Sequence, residues 1–224
     1  MKVREREFAV IAALVFIILM NYVERTIAPA YWLKSLVKVS VILLILISYS
    51  AVYRKPWGET IWFRKMRPAI TLYIFMGATF LGLVIAFLLL RNALDLASIR
   101  NNLMTKERLT KENCLFVFSY IALVNSFLEE GLFRGCLYHA FAEKSGKLWG
   151  LVFSSSAFAA YHIGIVDTWL NPWVLVLCIA GLLAAGAFLQ FVCERYDSVK
   201  ASWLVHGCAN LAIDALGVVL IFFY

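Results

Sequence analysis

Seven long hydrophobic runs constrain this chain more than any other feature of its sequence. They cover residues 8–23, 37–53, 69–90, 114–141, 148–164, 173–192 and 199–224. A helix needs about 20 apolar residues to cross a hydrocarbon layer of about 30 Å, whereas a membrane strand needs only about 9–11 residues of alternating polarity. Runs of this length therefore predict helices that cross a membrane.

The composition supports the same class of protein. Hydrophobic residues make up 63% of the 224 residues and charged residues 16%, which lies outside the range of soluble globular domains. We predict an all-α, polytopic transmembrane helical bundle. It forms one integral membrane domain, residues 1–224, with seven spans, or eight if Gly217 divides the last run.

The positive net charge of +7 lies mostly between the hydrophobic runs. Lys and Arg at span ends meet anionic lipid headgroups, so this charge indicates the lipid bilayer as partner and argues against nucleic acid. The connections on the N-terminal side of the membrane carry more Lys and Arg than those on the other side. We therefore expect a multi-pass protein of the cell (inner) membrane with a cytoplasmic N-terminus.

Residues 92–113 are polar and charged, unlike the runs on either side. Leu96, Ile99 and Leu103 nevertheless recur at helical spacing, which indicates a helix lying in the membrane interface. An ordinary solvated loop is an equally open interpretation. The N-terminal spans and this connection make up residues 1–113, and the remaining spans make up residues 114–224.

Three charged residues interrupt the fourth run. A charge inside a span costs about 2.5–3.5 kcal/mol on insertion scales, so each one is a functional hypothesis. Glu130 and Arg134 are four residues apart and can form an ion pair on one helix face. Glu129 points about 100° away from Glu130, so its spacing offers no charged partner in its own helix, and only Asn125 lies one turn before it.

Further polar groups occur in the later spans. His162 ends the fifth run, and His206 and Asn210 share one face of the last run. Bundles turn such groups inward, because lipid cannot satisfy them. A buried carboxylate can take a proton from water, while imidazole and amide groups can orient that water or donate to an oxyanion. Two His and one Glu also form a catalytic zinc shell, although no His-Glu-x-x-His helix is present.

Three motifs in this order resemble those of a known family. Glu129-Glu130-x-x-x-Arg134, Phe158-x-x-x-His162 and His206-x-x-x-Asn210 are similar to the motifs of the CPBP (CAAX protease and bacteriocin-processing, or Abi) intramembrane proteases. The type II CAAX prenyl endopeptidases belong to this family. The resemblance covers about residues 116–214, and each motif lies within or at the end of a hydrophobic run.

The resemblance implies a helical bundle with a catalytic cavity inside the membrane and a catalytic core in residues 114–224. It also implies an intramembrane endopeptidase that acts on a membrane-anchored or lipid-modified polypeptide. By motif position, Glu129 is the general base, His162 holds the water, and His206 with Asn210 forms the oxyanion side. Glu130 and Arg134 support the site. Phe158 lies near the site, as a substrate-binding residue.

Some members of the family are classed as metalloproteases, but a glutamate-type mechanism needs no cofactor, and we expect none. Zinc is the alternative. Prenylated C-termini, leader peptides and C-terminal sorting signals all remain possible substrates. Two other classes of function also stay open: a proton-coupled transporter, with the acidic and histidine side chains as a relay, and a non-catalytic immunity protein.

Overall fold

Nine helices make up the regular structure of residues 4–166 and 170–223, the part of the chain that the computed structural model describes. No strand occurs in this part of the chain. The helices are α1 Glu5–Ile27, α2 Tyr31–Tyr53, α3 Trp57–Thr60, α4 Ile70–Leu90, α5 Leu96–Thr105, α6 Cys114–Ser145, α7 Lys147–Val166, α8 Pro172–Tyr196 and α9 Val199–Phe223.

Seven of these helices, all except α3 and α5, are long and apolar enough to cross a membrane. The predicted all-α, polytopic architecture is therefore confirmed, and the chain is an integral multi-pass membrane protein. The helices extend beyond the hydrophobic runs, since charged residues such as Glu5 and Lys147 begin helical turns at the span ends.

The last span is one continuous helix, so the alternative of eight spans is wrong for the described residues. Gly217 allows α9 to approach α6 closely instead of breaking the helix. A Cβ at this position would lie 2.8 Å from the Phe118 ring. Tyr224, the predicted end of this span, lies outside the described residues.

The largest apolar core joins α1, α2, α6 and α7. Phe16 of α1 packs edge-on against Phe133 of α6 and lies 5.0 Å from the Tyr161 ring of α7, measured between ring centroids. A second cluster joins α4, α8 and α9 through Leu72, Val192 and Val205. A third cluster packs α6 against α9 through Val117 and Ile221, so α6 contacts both the N-terminal helices and the last span.

A buried charged cluster ties the N-terminal helices to the connection that enters α6. The Lys34 ammonium of α2 lies 2.7 Å from a carboxylate oxygen of Glu24, in α1. It also lies 2.7 Å from an oxygen of Glu107, which follows α5. These contacts satisfy a lysine that would otherwise be expensive at this depth.

The connection before α6 contains the helix expected from the spacing of its leucines. Asp95 precedes α5 and accepts a hydrogen bond from the Ser98 amide at 2.9 Å, which caps the first turn. The helix therefore exists, while its position in the membrane interface stays a prediction.

Helix α6 changes its winding twice around the acidic pair. π-Helical turns at Ile121–Asn125 and Gly131–Leu137 flank an α-helical turn, Ser126–Glu130. Such turns are rare and occur often at functional sites. In the second of them, Gly135 touches the backbone of the connection between α3 and α4, since a Cβ there would lie 2.5 Å from the Ile61 carbonyl oxygen.

Candidate active site

Four predicted site residues from three helices meet at one point inside the bundle. Glu129 and Glu130 come from α6, His162 from α7 and His206 from α9. The Nε2 atoms of His162 and His206 each lie 3.9 Å from Glu129 Oε2. Glu129 is only 1% exposed, so this carboxylate lies deep in the protein.

The other oxygen of Glu129 has three hydrogen-bond donors. Asn125 Nδ2 donates at 2.9 Å, Lys38 Nζ at 3.3 Å and the Tyr161 hydroxyl at 3.3 Å, all to Oε1. The expected amide partner one turn earlier in α6 is thus present. Glu129 also has a charged partner in another helix, which sequence spacing within α6 did not reveal.

Lys38 is the contribution that the sequence analysis missed. It lies in the second hydrophobic run, where a lysine resembles the basic residues that flank membrane spans. Its position one helical turn after Lys34, on the same face of α2, was the available signal. Both side chains point into the protein, and each one meets a carboxylate.

Glu130 and Arg134 form the ion pair predicted from their spacing. Arg134 Nη1 lies 3.2 Å from Glu130 Oε1, and both side chains are fully buried. Arg134 Nη2 also donates to the Gly186 carbonyl oxygen at 3.3 Å, which links α6 to α8. The guanidinium lies 4.3 Å from the centre of the Phe158 ring.

The two histidines are held through their Nδ1 atoms. His162 Nδ1 lies 2.7 Å from the Phe158 carbonyl oxygen, and His206 Nδ1 lies 2.9 Å from Glu130 Oε1. A carbonyl oxygen can only accept a hydrogen bond, and the same holds for a carboxylate paired with arginine. The Nδ1 atom of each histidine must therefore carry a proton and donate it. The Nε2 atoms are therefore the ones that face Glu129.

Two predicted residues lie at the edge of this arrangement. Phe158 is 2% exposed and packs against the Arg134, His162 and His206 side chains, so a contact with substrate stays a prediction. Asn210 Nδ2 donates to the Ile121 carbonyl oxygen at 3.2 Å, in the first π-helical turn of α6. That bond uses one of its two amide N–H groups.

The zinc alternative requires side chains that can approach one ion to about 2.0–2.2 Å. Within the described ranges, no group of three or more His, Cys, Asp and Glu side chains is arranged to hold a metal. The Lys38 ammonium also lies beside Glu129, where it would repel a divalent cation. The zinc alternative stays open at this point, and a chelator can test it directly.

Comparison with known proteins agrees with the three motifs. Residues 111–212 match the family of type II CAAX prenyl endopeptidases described as Rce1-like. No curated protein and no solved structure is significantly similar to the chain. The matched segment begins just before α6 and ends within α9, so it contains the acidic pair, both histidines and Asn210. Residues 111–212 of this membrane protein are therefore similar to the Rce1-like family of type II CAAX prenyl endopeptidases, which are proteases.

Proposed function

We propose that this protein is a glutamate-type intramembrane endopeptidase. One observation carries the proposal. Nε2 of His162 and Nε2 of His206 both approach the same oxygen of Glu129, while the other oxygen holds three donors. A separation of 3.9 Å is too long for a direct hydrogen bond but suits a bridging water. The nucleophilic water would lie between these three atoms.

The assigned protons give each group a separate role. Neutral His162 presents a lone pair at Nε2, so it accepts one hydrogen bond from the water, and Glu129 Oε2 accepts the other. As the water oxygen attacks the carbonyl carbon of the peptide, Glu129 takes its proton. The electrons of the carbonyl double bond move to its oxygen, which becomes an oxyanion.

The oxyanion needs donors on the side of α9. Glu130 accepts a hydrogen bond from His206 Nδ1–H and so directs Nε2 toward this oxygen, to which Nε2 donates when it carries a proton. Asn210 has a second amide N–H available for the same oxygen. The intermediate then collapses, the carbon–nitrogen bond breaks, and Glu129 passes its proton to the leaving amine.

The substrate class follows from the location of the site. The catalytic groups lie inside helices that cross the membrane, so the scissile bond must reach membrane depth. We propose a membrane-anchored or lipid-modified polypeptide. The family description makes a prenylated C-terminal peptide the first substrate to test.

The direct test is a Glu129→Gln variant, which keeps the shape of the side chain but removes the base. We expect cleavage of a farnesylated CAAX reporter peptide by the purified protein in nanodiscs to fall by about 10²–10⁴-fold. Glu143→Gln, in the same helix but away from the site, is the matched control and should cleave at the original rate. Full activity in Glu129→Gln would rule out the proposed base.

A second measurement removes the dependence on a chosen reporter. Membrane polypeptides from cells with the intact protein and with Glu129→Gln are compared by mass spectrometry. We expect uncleaved forms of particular membrane-anchored polypeptides to accumulate with the variant. Identical polypeptide patterns, together with no cleavage of the reporter by either protein, would contradict a protease function.

A further inference from the structure

Lys38 lies outside the segment that matches the family, yet its side chain enters the site. It belongs to α2, and its side chain is 12% exposed. An ammonium group inside a membrane span is expensive unless an anion or several acceptors receive it. Lys38 Nζ finds them in the Asn125 side-chain oxygen at 2.7 Å and in Glu129 Oε1 at 3.3 Å.

The contact with Asn125 fixes the orientation of that amide. A lysine ammonium can only donate, so it must face the amide oxygen of Asn125. The amide nitrogen of Asn125 then faces Glu129, one turn later in the same helix, and donates to its Oε1 atom at 2.9 Å. Lys38 thus supplies one donor to the Glu129 carboxylate directly and directs a second one.

Together with the Tyr161 hydroxyl, these donors all approach Oε1 and leave Oε2 facing the histidines. A carboxylate held in this way cannot rotate its second oxygen away from the water. We propose that Lys38 is a positioning residue of the protease, which selects Oε2 of Glu129 as the oxygen that takes the proton. This inference rests on the proposed function.

Charge balance gives Lys38 a second effect on the same group. Glu129 and Glu130 are adjacent, and Arg134 compensates only the charge of Glu130 directly. Lys38 supplies the second positive charge at the site, opposite Glu129. Without it, the buried Glu129 carboxylate would lose the cation that lies closest to it.

The alternative is that Lys38 only helps to hold α2 against α6. Both roles predict lower stability after substitution, so the test must separate chemistry from folding. A positioning residue acts on the catalytic step more than on substrate binding, so its loss lowers kcat and leaves KM unchanged. Replacing Lys38 by arginine should also restore part of the rate, because arginine again supplies a hydrogen-bond donor and a positive charge.

The experiment compares Lys38→Met, Lys38→Arg and the control Lys200→Met with the intact protein. Lys200, in α9, lies over the Phe63 ring, with its ammonium 4.2 Å from the ring centroid. We expect kcat on the farnesylated reporter to fall about 100-fold in Lys38→Met, with KM within about threefold. Lys38→Arg should recover at least about tenfold of that loss, and Lys200→Met should match the intact protein.

A kcat for Lys38→Met close to that of the intact protein would overturn the inference. So would an equal loss of kcat in Lys200→Met. The proposed function fails by a different result, because it requires that Glu129→Gln be inactive. An inactive Glu129→Gln with a fully active Lys38→Met would therefore remove the role of Lys38 and leave the protease function in place.

If Lys38→Met folds poorly, thermal unfolding can still test whether Lys38 and Glu129 act as a pair. The double variant Lys38→Met/Glu129→Gln removes both charges. If the two side chains are a pair, this protein should melt at a higher temperature than Lys38→Met alone. Additive losses of the two single substitutions would show that Lys38 does not act through Glu129.

Discussion

Arg134 is the side chain whose removal should damage the protein most. Both Arg134 and its partner Glu130 are fully buried, and Glu130 also contacts the His206 ring. Arg134→Met fills a similar volume but leaves the Glu130 carboxylate without its cation. Breaking one side of a buried ion pair costs about 3–5 kcal/mol, because the remaining charge is uncompensated.

The loss should be measured as the free energy of unfolding in mixed detergent micelles. For a chain of this size, each kcal/mol lowers Tm by about 2–4 °C, so Arg134→Met should melt about 10 °C lower. The double variant Glu130→Gln/Arg134→Met removes both charges and should regain more than half of the lost stability. The exposed Arg195, at the end of α8, provides the control Arg195→Met, which should leave Tm unchanged.

Two results would refute this reasoning. If Arg134→Met unfolds within about 1 kcal/mol of the intact protein, the buried pair is not holding α6 in place. If the double variant is less stable than Arg134→Met, the cost does not come from an uncompensated Glu130. In the second case, the contacts of the guanidinium with Gly186 and the Phe158 ring would carry the stability instead.

Two further predictions concern packing and metal dependence. Gly135→Ala places a Cβ 2.5 Å from the Ile61 carbonyl oxygen, so it should lower the free energy of unfolding by about 1–3 kcal/mol or more. Gly82→Ala, whose Cβ would meet nothing within 4 Å, should be neutral or stabilising, and equal effects at the two positions would contradict the packing argument. Incubation with 1,10-phenanthroline should leave cleavage unchanged, whereas a loss of activity that added zinc restores would support the metalloprotease alternative.

Hydrophobic length and helical spacing were enough to predict the fold and one ion pair. The spans follow from run length, because a helix must keep its backbone hydrogen-bonded while it crosses the membrane. The pairing of Glu130 with Arg134 follows from their spacing of four residues. Both are local properties, in which neighbours along the sequence decide the contact.

The partner of Glu129 could not be found in the same way. Lys38 is 91 residues away in sequence, and the packing of α2 against α6 decides their contact. The donation of Asn210 to the Ile121 carbonyl oxygen was equally hidden, since it depends on where α9 meets a π-helical turn of α6. Sequence spacing shows which face a residue shares, but it does not show which helix lies opposite.

The two lysines of α2 gain their carboxylate partners at different times during synthesis. Glu24 precedes Lys34 by 10 residues, so Lys34 has a partner as soon as α2 forms. Glu129 is made 91 residues after Lys38, which at about 5–20 residues per second is a delay of about 5–18 s. We expect Lys38 to stay at a water-facing surface during this time, because an unpaired charge in the bilayer costs about 2.5–3.5 kcal/mol. We therefore expect the second span to reach its final depth only when α6 lies beside it, so that the arrival of Glu129 also completes the insertion of the N-terminal helices.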